Sequence, residues 1–573
     1  MRSELESKLD ALIANGALGQ DFSFRPGQRE TVLALAELYF EEPDATVVID
    51  APTGTGKSII AMATAKLLTE FSKTGYLITS DIALQDQYES DMYRRKIRWP
   101  SLKGVDNYEC SVNQQPFSIG DCKLKGMSYE QAKNLHCYQT CDYLQLRNRA
   151  IHSPVVVFNY SYWLLQRNYV ESRLGENNPF DQRDFVFFDE AHKVDEIVQG
   201  HFSPRIDEGI LERTKRLNSF ISRYTLPPVS MSQTALTDLV VDLIAVKNAN
   251  QAFDMLKLLD SVLLEYRAAG QLATQQAKQL FKSGTVPAAW QRAFTDFDRL
   301  KDVHCKIEDY VRLINQVGLA KMVIDHKPAE VQFFCVEEAQ MIRQYLHAKA
   351  GFKVFMSATI GDPATYMKIM GIQNARFIRL QNGFDYTKSP IVFVNKYSMA
   401  MKSREANFGN VLELLDRIIA KHISQRGIIH SGSYEFTRLI MQHSQYADRL
   451  LDYADSKQKA KSLEVFKKSD DKILIGPSIL EGLDLKDDFS RFQVFFKVPF
   501  PSLGDALVKA KLQHSQDWYD WKTSISILQG VGRSVRSQED WAVTYILDAS
   551  FSGLLGRGNL IPPDFKERMK VIK

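Results

Sequence analysis

The chain has 573 residues, 45% of them hydrophobic and 25% charged, with a formal net charge of only +3. That length exceeds one compact core and implies three or four domains at about 100–200 residues each, while the apolar content excludes a largely disordered protein. Near-neutrality excludes a globally basic nucleic-acid binder, so any such contact must come from local patches.

The N-terminal segment from Met1 lacks the charged-then-apolar pattern of a secretion signal, and no run of about 18 apolar residues occurs, so an intracellular protein without membrane contact is expected. The first ordered unit reads as strand, glycine loop and helix: Thr46-Val-Val-Ile-Asp50, then Ala51-Pro-Thr-Gly-Thr-Gly-Lys-Ser58, then Ile59 to Leu68. This is the P-loop pattern with alanine in place of its first glycine. Backbone amides around Thr53, Gly54, Thr55 and Gly56 would cradle phosphate oxygens where the helix dipole favours negative charge. Lys57 would contact the β- and γ-phosphates of ATP, and Ser58 would ligate Mg2+.

After a strand expected at Gly75 to Thr79 comes a cysteine cluster. Cys110, Cys122, Cys137 and Cys141 are spaced C-x11-C-x14-C-x3-C in a chain with six cysteines in total. In a reducing compartment such a cluster reads as metal ligands rather than disulfides. Only the last pair is close, whereas a zinc ribbon has two short pairs, and four thiolates can also hold an iron–sulfur cluster; spacing alone leaves both metals open. From Arg94 to Arg149 there are ten Lys or Arg against five Asp or Glu, interleaved with Trp99, Tyr108, Phe117, Tyr129, Tyr138 and Tyr143. Basic groups can neutralise phosphates and exposed rings can stack bases, although such rings can equally pack a small domain. His136 is expected near the cysteines without ligating metal. Cys305 and Cys335 are expected to be small buried side chains.

Further strands are expected at Val155 to Phe158, Phe185 to Phe188 and Lys353 to Met356, forming a parallel sheet with helices on both faces. Phe185-Val-Phe-Phe188 runs into Asp189-Glu-Ala-His192, placing carboxylates at the C-terminal edge of a buried strand, where open α/β sheets bind ligands. Asp189 can hold Mg2+ and Glu190 can polarise the attacking water. Between His201 and about Ala320, Leu236, Leu239, Val240, Leu243 and Ile244 keep helical spacing, as do Leu256, Leu259, Leu263 and Tyr266, so a mostly helical insertion is expected. A second series of strands, at Gly427 to His430, Ile473 to Ile475, Gln493 to Val498 and Val543 to Leu547, predicts a second α/β domain.

These segments together resemble superfamily 2 helicases, in an order that covers nearly the whole chain. Phe24-Arg-Pro-Gly-Gln28 resembles the Q-motif region, which implies nucleotide contacts for Arg25 and Gln28. Ser357-Ala-Thr359 resembles the motif that couples hydrolysis to domain movement. Ser478-Ile-Leu-Glu-Gly-Leu-Asp484 resembles motif V and adds Glu481, Gly482 and Asp484. Gln529-Gly-Val-Gly-Arg-Ser-Val-Arg536 is similar to motif VI, whose glutamine helps order the hydrolytic water and whose arginines reach the γ-phosphate. Arg533 and Arg536 suit the charge spread in phosphoryl transfer, and would share one face if their segment is helical. His192 is expected to couple the two motor domains rather than act as a base.

Cysteines between the P-loop and the D-E-A-H box, preceded by Lys103-Gly-Val-Asp-Asn-Tyr108, look like the iron–sulfur helicase family typified by XPD and DinG, as does Val498-Pro-Phe-Pro501. The resemblance implies an α/β fold with two RecA-like motor domains, the first interrupted by an Fe–S domain and a helical arch. The expected division is 1–100, 151–200 and 321–388 for the first motor, 101–150 for the Fe–S domain, 201–320 for the arch and 389–573 for the second motor. It also implies a 4Fe–4S cluster on the four cysteines, with Zn2+ as the alternative, and 5′ to 3′ unwinding by a monomer acting on single-stranded and forked DNA. The short stretch before Phe22 is expected to leave no room for a fused nuclease. The rival expectations are a translocase that does not separate duplexes and a nucleotide-gated DNA-binding scaffold.

Overall fold

The computed structural model describes all residues except 53, 126, 128, 171–178, 181, 282–285, 382–385, 454–458, 478–484, 486 and 536–539. The first four strands are β1 (Thr46–Asp50), β2 (Gly75–Thr79), β3 (Val155–Asn159) and β4 (Phe185–Phe188). Around a helical stretch follow β5 (Arg205–Asp207), β6 (Met322–Lys327) and β7 (Glu330–Cys335), then β8 (Phe352–Ser357) and β9 (Arg376–Arg379). The remainder contributes β10 (Ile391–Tyr397), β11 (Gly427–His430), β12 (Leu450–Asp452), β13 (Ile473–Gly476), β14 (Phe492–Phe495), β15 (Val543–Asp548) and β16 (Met569–Ile572).

Among the described residues, two of the three sheets are wholly parallel. The first has the order β3-β2-β4-β8-β1-β9 and the second β12-β13-β11-β14-β15-β10-β16. Every residue of β2, β3 and β4 is buried, which is why these segments read as unbroken apolar runs. The strand expected to continue to Val498 stops at Phe495. The Val498 N–H is taken by the Asp548 carboxylate at 3.0 Å, and Pro499 cannot donate to a ladder.

The helical stretch consists of Gly209–Arg223, Gln233–Ala245, Ala249–Leu280 and Ala288–Val317. Leu236, Leu239, Val240, Leu243, Leu256, Leu259, Leu263 and Tyr266 are all buried, as their spacing predicts, and Ile244 is half-buried. Arg216 holds Asp296 through two hydrogen bonds of 2.8 Å, tying the first of these helices to the last. What the periodicity did not announce is a small antiparallel sheet, β5-β7-β6, beside the helices. Strand β5 has only three residues, too few for an alternation to register. Cys305 and Cys335 are buried.

The cysteine-bearing segment is built from short pieces, including helices Asp121–Leu124 and Asp142–His152. Its rings pack inward. Phe117 and Tyr143 are 1% exposed with centroids 4.4 Å apart, Tyr108 lies 5.3 Å from Tyr143, and the Arg147 guanidinium sits 3.4 Å from the Tyr129 ring centre. Trp99, Tyr108, Tyr129 and Tyr138 are half-buried, so Phe117 and Tyr143 are the two rings that burial commits to packing. The packing is continuous with the first domain, since Tyr143 and Tyr162 share a 2.9 Å hydroxyl contact. Among the described residues, no helix is long and apolar enough to cross a membrane.

Candidate functional site

The order of the first sheet decides what meets at its C-terminal edge. Strand β8 lies between β1 and β4, so the glycine loop after β1, Ser357 at the end of β8 and Asp189 after β4 stand side by side. The loop takes left-handed backbone at Gly54 (φ +88°) and Gly56 (φ +76°), which glycine adopts without a Cβ clash. A Cβ on Gly56 would lie 2.5 Å from Gln28 Nε2. Gln28 is there because its amide donates to the Thr55 carbonyl at 2.6 Å, while the Arg25 guanidinium donates to the Gly54 carbonyl. Both residues therefore brace the loop's main chain. Lys57 and Ser58 open helix Lys57–Thr69. Thr53 lies outside the described residues.

Asp189 is 3% exposed, and each carboxylate oxygen accepts a hydrogen bond: Tyr88 hydroxyl at 2.9 Å and Glu190 N–H at 2.8 Å. Tyr160 donates to its main-chain carbonyl at 3.0 Å. Burial pushes the Asp189 carboxyl up to about 6, with the neighbouring Glu190 charge adding to the rise and Lys57 opposing it. Glu190 takes left-handed backbone at φ +50°, uncommon for a residue with a side chain and a frequent mark of functional turns. Its carboxylate lies 3.8 Å from the Lys57 ammonium and 3.3 Å from His192 Nδ1. Burial alone would raise Glu190, but Lys57, His192, Lys193 and Arg533 together hold it below the usual carboxylate value.

His192 is the junction of the site. Its Nδ1 is 2.8 Å from the Ser357 hydroxyl, which accepts from Thr359 N–H at 3.1 Å, and its Nε2 is 2.5 Å from the Gln529 amide nitrogen. The amide can donate only to an unprotonated Nε2, which puts the ring proton on Nδ1, facing Ser357 and Glu190. Burial pushes His192 down to about 4, so the ring is neutral near pH 7 and serves as a hydrogen-bond relay. Because Gln529 belongs to helix Gln516–Val531 of the second α/β domain, this contact joins the two domains.

Arg533 lies just past that helix, which ends at Val531, so Arg533 itself is not on a helical face. The Arg533 charge nevertheless lowers Glu190 from the second domain. Arg536, Glu481, Gly482 and Asp484 lie outside the described residues. Sequence reading missed Tyr88, Tyr160, Asp195 and Lys522, all of which support the site. Nothing local marks them, because each acquires its partner from a distant segment.

With Asp189 as a Mg2+ ligand, the role proposed below, its protonation would govern metal affinity. Its folded value, about 6, lies above the ordinary 3.8, so the native state holds this proton more tightly than the unfolded chain does. Asp189 therefore contributes stability below pH 4 that is lost as pH rises through 6, whereas metal binding needs the ionised form. Apparent Mg2+ affinity in nucleotide binding is expected to fall about tenfold per pH unit below 6. An Asp189→Asn protein, titrated with Mg2+ at pH 5 and 7, should show uniformly weak affinity; an unchanged pH dependence would remove Asp189 from the metal site.

Of the four clustered cysteines, Cys110, Cys122 and Cys141 are buried and Cys137 is half-buried. Burial pushes the Cys122 thiol up to about 11, and the other three thiols each add to that rise, so the four share one electrostatic neighbourhood. Among the described residues, no group of three or more His, Cys, Asp or Glu side chains converges closely enough to hold a metal ion.

Two family models match the chain: "Type III restriction enzyme, res subunit" over residues 21–203 and "Helicase C-terminal domain" over residues 417–558. The chain is 23% identical to the ATP-dependent DNA helicase YoaA of Escherichia coli, over 92% of this chain and 91% of YoaA. Its fold is similar to that of S. tokodaii Xpd4, with TM-score 0.60, 14% identity, and coverage of 96% of this chain and 100% of that one. It is also similar to an XPD helicase structure, with TM-score 0.59, 16% identity, and coverage of 96% and 100%. At these identities the structural likeness is one of fold: two RecA-like parallel-sheet domains with insertions in the first.

Proposed function

From the premise that this chain is an XPD/DinG-like superfamily 2 protein, we propose that it hydrolyses ATP in the cleft between its two motor domains to move along single-stranded DNA and part a duplex. The observation that carries this reading is the cross-cleft junction at His192, which links the glycine-loop Lys57 through Glu190 to Gln529 of the second motor. A nucleotide contacted from both sides can convert its hydrolysis into relative motion of the two motors.

In this reading Gly54, Thr55 and Gly56 cradle the phosphates, and Lys57 neutralises the β- and γ-oxygens. Ser58 and Asp189 would hold Mg2+, the latter with its oxygens oriented by Tyr88 and the Glu190 amide. Glu190, kept ionised by Lys57 and its neighbours, orients the attacking water together with Gln529. Arg533 meets the charge that develops on the γ-phosphoryl group. Loss of that group would weaken the Arg533 side of the cleft, and His192 would pass the change to Ser357-Ala-Thr359.

Residues 101–150 are proposed to be the strand-separating domain, with Cys110, Cys122, Cys137 and Cys141 as ligands of a 4Fe–4S cluster, and residues 201–320 the arch. The donor set fits: four thiols of one small domain, mutually felt and mostly buried. A bound cluster would cross-link the loops into a rigid wedge. The proposed direction is 5′ to 3′.

Two measurements test the reading. Forked DNA with a 5′ tail should be unwound in an ATP-dependent manner, and single-stranded DNA should stimulate turnover more than RNA does; stimulation without unwinding would reduce the protein to a translocase, and no stimulation would reduce it to a scaffold. Anaerobically purified protein should absorb broadly in the visible, and Cys122→Ser should bleach it. Colourless protein with one equivalent of zinc would overturn the cluster assignment.

A further inference from the structure

Helix Gln516–Val531 belongs to the second motor, yet one of its faces is seated on the first. Trp518, Trp521, Lys522, Ile525 and Gln529 recur at three- and four-residue intervals, the spacing of a single helical face. Trp521 donates its indole N–H to the Ile360 carbonyl at 2.8 Å, next to Ser357-Ala-Thr359. A Cβ on Gly361 would stand 3.1 Å from the Ile525 side chain, so this seat is closely fitted.

At the centre of the face is Asp195, which is 0% exposed. The Lys522 ammonium donates to its two oxygens at 3.0 and 3.2 Å, and Trp518 Nε1 donates at 3.3 Å. Lys522 also pairs with Glu196 at 2.9 Å and reaches the His192 carbonyl at 3.5 Å. An exposed pair would contribute little to stability. A buried carboxylate stripped of its partner is a different matter, since the remaining charge stays desolvated and unpaired; such pairs serve best as registry devices. Lys522 precedes Gln529 by about two helical turns. The two residues converge on one target, Gln529 on the His192 ring and Lys522 on its main chain.

We infer that Asp195 and Lys522 are positioning residues for hydrolysis: their pair registers helix Gln516–Val531 on the first motor so that Gln529 meets His192 and Arg533 faces Glu190. This rests on the reading of the cleft as the ATP-hydrolysing site. Neither side chain needs to touch nucleotide. Their effect is exerted through the helix, so it should appear in the assembled cleft rather than in nucleotide capture by the first motor.

The test uses the full chain with two probes: ADP, which requires chiefly the first motor, and ADP–aluminium fluoride, which requires groups from both. In Lys522→Met, kcat is expected to fall about tenfold or more, and ADP–aluminium fluoride affinity to fall likewise, while KM for ATP and ADP affinity stay within about twofold. Lys522→Gln can still donate to Asp195 and should lie between the parent and Lys522→Met. Adding Asp195→Asn to Lys522→Met removes the unpaired buried charge without rebuilding the pair, so kcat should stay low, and a return to parental kcat would overturn the inference. Parental kcat in Lys522→Met, or equal weakening of both probes, would overturn the inference. Should that variant fail to fold, Lys522→Gln is judged by the same ratio of affinities, and a parental ratio overturns it. The ratio is read without DNA, so a parent lacking DNA-stimulated turnover would defeat the helicase reading while leaving this result legible.

Discussion

Lys57→Ala is expected to lower ATP turnover by about 10²–10³-fold or more, the scale for removing one preorganised donor aimed at developing charge. The fold should survive, because the helix that presents Lys57 is held by its buried face, Ile60, Ala61, Ala63, Ala65, Leu67 and Leu68, none of which packs through the ammonium group. A second effect follows at Glu190. Lys57 is the strongest of the charges that counter the burial of this carboxylate, so its loss should raise the Glu190 value and move the acid limb of the residual rate to higher pH. Phosphate release measured across pH, alongside a thermal melt, checks both effects. Turnover at the parental rate with an intact fold would take Lys57 out of the site.

Arg533→Ala is expected to cost about 10³-fold in kcat, the range for an arginine that meets transition-state charge in phosphoryl transfer. Unlike Lys57 it belongs to the second motor, and its influence on Glu190 crosses the cleft. KM for ATP should therefore change only a few-fold, since the first motor's loop still captures nucleotide. The conservative variant Arg533→Lys should recover little, because an ammonium lacks the planar fork that grips two oxygens. Single-turnover hydrolysis separates this from slow product release. Equal losses in binding and in kcat would make Arg533 a binding residue instead.

Local pattern carried far in this chain. Unbroken apolar runs at Gly75 to Thr79 and Phe185 to Phe188, short and bounded by turn residues, read as strands covered on both faces, and both are fully buried strands. The glycine loop was legible for a related reason: glycines between a strand and a helix mark a turn through left-handed backbone, which Gly54 and Gly56 take. The leucines of the helical insertion declared their buried face through spacing alone. The aromatic residues around the cysteines were not legible in this way. A ring that packs and a ring that waits for a base are the same letter, and only the burial of Phe117 and Tyr143 distinguishes them.

The sequence by itself therefore determined the kinds of element, the glycine turn, the paired carboxylates and the isolated set of four cysteines, because each is written in neighbouring residues and their spacing. The tertiary structure alone decided who meets whom. Strand β8, contributed more than 160 residues after β4 in the chain, slides between β4 and β1 and brings Ser357 to His192. Glu190 turns through left-handed backbone toward Lys57. Gln529 and Lys522 arrive from the other motor to close the junction. Strand order and domain docking are set by long-range burial of apolar faces and by pairing of desolvated charges, and neither leaves a period in the local sequence.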